Sequence, residues 1–153
     1  MSSIESCEDP SLVLGGLCLW VLGKAYPDNP DWWDRDVLQV RAECRAPGSV
    51  VSTSGALLRS DEIADLLAGM EAMHKWETKV FDWKPREPNL AMRLSGSLAV
   101  EVEITPDHLM QRHQFRFDLD LTYLLPPIGQ CRQILRSFPV TVGGRSYPVR
   151  ISN

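Results

Sequence analysis

A chain of 153 residues with 44% apolar and 24% charged side chains suits one globular domain and excludes wholesale disorder or a fibrous repeat. A formal charge of -4 and an isoelectric point near 5.3 exclude general attraction to nucleic acid or anionic membranes, which need clustered Lys and Arg. Cys7, Cys18, Cys44 and Cys131 lie far apart with no Cys-x-x-Cys pair, so neither a zinc site nor a redox motif is indicated.

Residues 1–10 read as a flexible polar tail whose acidic character is wrong for a secretory signal, and residues 11–153 as a single domain. Leu12-Val13-Leu14 and Leu17 to Leu22, flanking Gly15-Gly16, predict a hairpin or bulged strand that is largely buried along both runs. The run is too short to span a bilayer. With Cys18, Cys44 and Cys131 expected on apolar faces as free thiols, a cytoplasmic location follows. Tyr26 to Asp31 is a cluster of turn formers leading into Trp32-Trp33-Asp34-Arg35-Asp36. Leu38, Val40, Ala42 and Cys44 then alternate with Gln39, Arg41 and Glu43, the period-2 pattern of a half-buried strand, and Ala46-Pro47-Gly48 turns the chain into Val50-Val51.

Ser60 predicts a helix N-cap, Asp61 and Glu62 suit the positive end of the dipole, and Ile63, Leu66, Leu67, Met70 and Met73 recur at helical spacing. Leu90–Leu94 and Leu98–Ile104 form a hairpin about Ser95-Gly96-Ser97. Phe115, Phe117, Leu119 and Leu121 point inward from a third strand, making a meander. Pro126-Pro127 opens a second helix with Ile128, Cys131, Ile134, Leu135 and Phe138 as its apolar stripe; Pro139 ends it. Val140–Val142, Gly143-Gly144 and Tyr147–Ile151 close the chain as a hairpin. The fold class is α+β: a predominantly antiparallel sheet, curled or sandwich-like, with two amphipathic helices.

Catalytic chemistry finds little support in these residues. His74 falls at a helix C-terminus, where its ring complements the dipole. His108 and His113 lie across a turn, and their spacing to Asp107, Asp118 and Asp120 matches no ligand signature. Glu101 and Glu103 share one strand's outer face and Asp118 and Asp120 another's, with Arg93 and Arg116 interleaved as the cross-strand countercharges of a solvated sheet. Used as a site, these carboxylates form an acidic docking surface, since no nucleophile or base accompanies them. No nucleophile elbow, P-loop or dinucleotide fingerprint occurs. Trp32 and Asp34 are further docking candidates, because Trp is enriched in binding hot spots and carboxylates attract basic partners. No catalytic residue, metal ligand or cofactor is assigned.

Several of these segments also occur in a familiar order: a strand ending near Tyr26-Pro27, Asp31-Trp32-Trp33-Asp34 before Leu38-x-Val40-x-Ala42, and a helix after Leu58. Glu87-Pro88-Asn89-Leu90, Val100-x-Val102 and Phe115-x-Phe117-x-Leu119-Asp120 follow. In this the chain resembles the WapI-type immunity proteins of bacterial polymorphic, contact-dependent toxin systems. The resemblance implies a non-enzymatic protein that binds and neutralises a cognate toxin domain, itself basic, as a monomer or homodimer. The docking residues are then Trp32, Asp34, Glu101, Glu103, Asp118 and Asp120. Two other classes remain open: an oligomeric structural domain joined through a sheet edge, and a small metal- or ligand-binding enzyme using Glu101, His113, Asp118 and Asp120.

Overall fold

The computed structural model describes residues 9–28 and 34–141, together with the backbone of 142 and 145–146. Two four-stranded antiparallel sheets and two helices share one core. The first sheet runs in sequence order through β1 (Leu12–Leu14), β2 (Leu17–Lys24), β3 (Val37–Ala46) and β4 (Ser49–Arg59). After α1 (Ser60–His74) the second sheet is again sequential, with β5 (Val80–Trp83), β6 (Leu90–Ser95), β7 (Ala99–Asp107) and β8 (Gln111–Asp118). A 3-10 turn at Leu121–Leu124 leads into α2 (Leu125–Ser137), and β9 (Thr141–Val142) pairs with β10 (Arg145–Ser146). The α+β antiparallel architecture is therefore as predicted. No helix among the described residues is long and apolar enough to cross a membrane.

Alternation decides which face of the first sheet is buried. Leu12, Leu14, Leu17, Leu19, Leu38, Val40, Ala42 and Cys44 all lie in the core, each large apolar side chain contributing roughly 1.5–3 kcal/mol. Strands β1 and β2 are buried or half-buried up to Val21, and Leu22 beyond it is 60% exposed. Cys18 pairs with Glu43 across β2 and β3 and lies half-buried on the sheet's other face, rather than on the apolar side as predicted. Cys44 and Cys131 are buried as expected, and all three thiols are free. Burial pushes the Cys44 and Cys131 thiols up to about 12.

Helix α1 begins straight off β4, so Arg59 and not Ser60 is its N-cap. The Glu62 carboxylate accepts the Arg59 N–H at 2.8 Å, satisfying a donor that the first turn leaves open. Ile63, Leu66, Leu67, Met70 and Met73 form the buried stripe. Two contacts seat β5 on this helix. Trp83 Nε1 donates to the Glu62 carbonyl at 2.8 Å, and the Phe81 ring lies so close to Gly69 that a Cβ there would meet it at 2.3 Å. Helix α2 packs on α1, where Arg132 pairs with the buried Glu71, and on β1, whose Val13 N–H is taken by Gln130 Oε1 at 2.9 Å. Leu121, expected in a strand, belongs to the 3-10 turn.

The sheets meet where Phe117 of β8 covers the β1–β2 turn. A Cβ on Gly16 would lie 2.6 Å from the Phe117 ring and 2.1 Å from the Arg45 carbonyl, so only glycine admits this approach. Near the start of β3, buried Asp36 accepts the Thr141 N–H at 2.8 Å and the Thr141 hydroxyl, with the buried Arg59 guanidinium 4.0 Å away. The end of the predicted C-terminal hairpin, residues 147–153, lies outside the described residues, as do the 1–8 part of the tail and the Trp32-Trp33 pair.

Candidate functional site

In the second sheet Met92, Leu94, Val100, Val102 and Ile104 are buried, with Phe115 and Phe117 packed against them, so the intervening residues face out. Register puts Asp82 opposite Arg93, Arg93 opposite Glu101, and Glu101 opposite Arg116. The result is a row of alternating charge across all four strands. Arg93 Nη1 reaches both Asp82 carboxylate oxygens at 3.1 and 3.2 Å, and Arg116 Nη1 reaches Glu101 Oε2 at 3.2 Å. A second row begins at Glu103, whose Oε2 accepts from Arg112 Nε at 2.6 Å and Gln114 Nε2 at 3.3 Å. Together with Lys84 these side chains line a depression of about 520 Å³.

The predicted docking residues divide on this framework. Glu101 and Glu103 lie in the depression, and Asp118 joins them at its margin through Arg116, whose Nε donates to Asp118 Oδ1 at 3.2 Å. Asp120 folds back on its own turn, accepting the Thr122 N–H at 2.9 Å and the Thr122 hydroxyl, which hold its carboxyl below the ordinary value. Asp34 lines a separate depression of about 210 Å³ with Tyr26, Arg59 and Arg86. Trp32 lies outside the described residues.

Each carboxylate on this face has a guanidinium within reach, so the surface is a charge mosaic and not a purely acidic patch. Exposed pairs of this kind add only about 0–1 kcal/mol each to stability. Their larger effect is to hold long side chains in fixed positions, which lowers the ordering cost when a partner binds. Asp82, Lys84 and Arg112 were not found from sequence, because their place in the mosaic depends on strand register.

His108 sits in the β7–β8 turn, and the His113 Nε2 lies 3.3 Å from Gln111 Oε1, opposite Ile104. Among the described residues, no three of His, Cys, Asp and Glu come together in an arrangement able to hold a metal ion. Glu101 and Asp118 are engaged by Arg116 and Asp120 by Thr122, so the set Glu101, His113, Asp118 and Asp120 does not converge on one point.

Residues 14–139 match the model of the immunity protein WapI-like family. The chain belongs to this family. The matched span runs from the end of β1 to just beyond α2 and includes every strand of the mosaic face. No curated protein and no solved structure matches the chain. The predicted family is thus confirmed, and WapI-like membership carries an immunity role and a toxin protein as the class of partner.

Proposed function

We propose that this WapI-like protein is a non-enzymatic, cytoplasmic immunity protein that binds a cognate toxin domain and blocks it stoichiometrically, with the outer face of β5–β8 as the docking face. Family membership carries the reading. The mosaic supports it physically: alternating Asp82, Arg93, Glu101 and Arg116 offer a pattern that a partner must match sign by sign, and mismatched like charges cost several kcal/mol. Net charge then matters less than order of charge, so the partner is defined by complementary pattern and its overall basicity is secondary.

The test is co-expression with the toxin domain encoded beside it, scoring host survival and co-purification. Rescue with a one-to-one complex is expected. Glu101→Lys places a third cation between Arg93 and Arg116 and should weaken the complex by about tenfold or more while leaving the fold intact. A toxin domain that is folded and lethal, yet neither bound nor neutralised, overturns the proposal. Unchanged affinity in Glu101→Lys moves the docking face elsewhere.

A further inference from the structure

Helix α1 ends in a Schellman arrangement: the Glu77 N–H donates to the Ala72 carbonyl at 2.8 Å and the Trp76 N–H to the Met73 carbonyl at 3.1 Å. This closure requires a left-handed residue at the first position past the cap. Glycine normally fills it, because a Cβ is disfavoured there. Here the residue is Trp76, with φ of 64° and 70% of its surface exposed. The fold gains nothing evident from the side chain: it joins no part of the core, and the backbone it occupies favours glycine. Backbone outliers of this kind concentrate at functional sites.

The surroundings connect Trp76 with the mosaic face. The Lys79 carbonyl accepts the Gly96 N–H at 3.0 Å, fixing the segment after Trp76 to the β6–β7 turn. That turn borders a depression of about 230 Å³ that also contains Asp118 and Arg116. Arg116 in turn lines the larger depression with Glu101. The segment after α1 thus adjoins the β6–β7 turn, and that turn borders the charge mosaic. Lys75, Glu77 and Lys79 around Trp76 are all exposed, giving the indole a mixed, net positive rim.

We infer that Trp76 is an aromatic anchor that enters an apolar, carboxylate-rimmed pocket of the cognate toxin domain, extending the docking face beyond the mosaic. The inference rests on the immunity reading above. Trp is the residue most enriched among binding hot spots, where a rigid ring buried at the centre of a contact carries a large share of affinity. The unfavourable backbone is then the cost of presenting it.

Trp76→Gly separates folding from binding, because glycine suits the left-handed position better. The variant should melt about 2–4 °C higher than the wild type and bind the toxin domain at least about tenfold more weakly, with reduced rescue of co-expressing cells. A variant that binds as tightly as the wild type overturns the inference alone. An unchanged or lower melting temperature also overturns it, because the indole would then serve the protein's own packing. Failure of the wild-type protein itself to bind a folded, lethal toxin domain overturns the immunity reading and the inference with it.

Discussion

Gly69 and Gly129 both lie inside helices, and the same substitution should stabilise the protein at Gly129 but not at Gly69. Alanine gains about 1 kcal/mol over glycine in a helix interior. At Gly129 an added methyl meets nothing within 4 Å, so Gly129→Ala keeps the full gain. With a rise of about 2–4 °C per kcal/mol for a chain of this size, its melting temperature should increase by that amount. At Gly69 the new Cβ would meet the Phe81 ring at 2.3–2.4 Å, well inside contact distance. Phe81 must swing away or β5 must lift, and overpacking of this sort costs about 1–3 kcal/mol. The propensity gain offsets part of that cost, leaving Gly69→Ala between neutral and about 2 kcal/mol less stable. Thermal and urea denaturation of both variants provide the assay, with Phe81→Leu added to Gly69→Ala as the relief mutation. A Gly69→Ala protein that gains as much as Gly129→Ala would falsify the seating of Phe81 on the helix. The same shift would displace Asp82, which β5 carries at one end of the charge row.

Glu62 gives a pH prediction. Burial holds its carboxyl above the ordinary value of 4.5, against the opposing pull of the Arg86 and Arg59 N–H groups. The folded state thus binds this proton more tightly than the unfolded chain, so the contribution is full below 4.5 and is lost as pH rises through the raised value. Measured from roughly pH 4 to 7, the stability of the wild type relative to Glu62→Gln should fall with rising pH; a difference that rises instead would contradict the raised carboxyl. Cysteine labelling tests the packing independently. In native protein at about pH 8, iodoacetamide should modify half-buried Cys18 well before Cys44 or Cys131, as read by peptide mass mapping. Equal labelling of Cys131 and Cys18 would mean that α2 opens readily.

Much of this fold is legible because burial imposes a period. Leu38 to Cys44 alternates cleanly, and the stripe from Ile63 to Met73 repeats every three or four residues, so both elements and their buried faces follow directly. Failures occur where the period is hidden or absent. From Leu17 to Leu22 every residue is apolar, leaving nothing to assign Cys18 to one face. The middle of β4, Ser52-Thr53-Ser54-Gly55-Ala56, has little β signature and is held as strand by pairing with β3. Four-residue β5 is a strand through its pairing with β6 and its anchorage to α1, neither of which is local information. The same distinction applies to the site. Glu101 and Glu103 are visible as outward carboxylates, whereas the sharing of Arg116 between Glu101 and Asp118 depends on register. Trp76 had no signal at all, because a left-handed helix end is ordinarily announced by glycine.

The Asp36–Thr141 contact joins positions 105 residues apart in the chain. During synthesis the first sheet emerges early, while the donors that satisfy its buried carboxylate follow roughly 5–20 s later at ordinary rates of elongation. Until then Asp36 has Arg59 as its nearby countercharge. A chain that stops short of Thr141 therefore keeps the Asp36 carboxylate beside Arg59 but without its two Thr141 donors, so the first sheet completes its buried polar contacts only when the last part of the chain arrives.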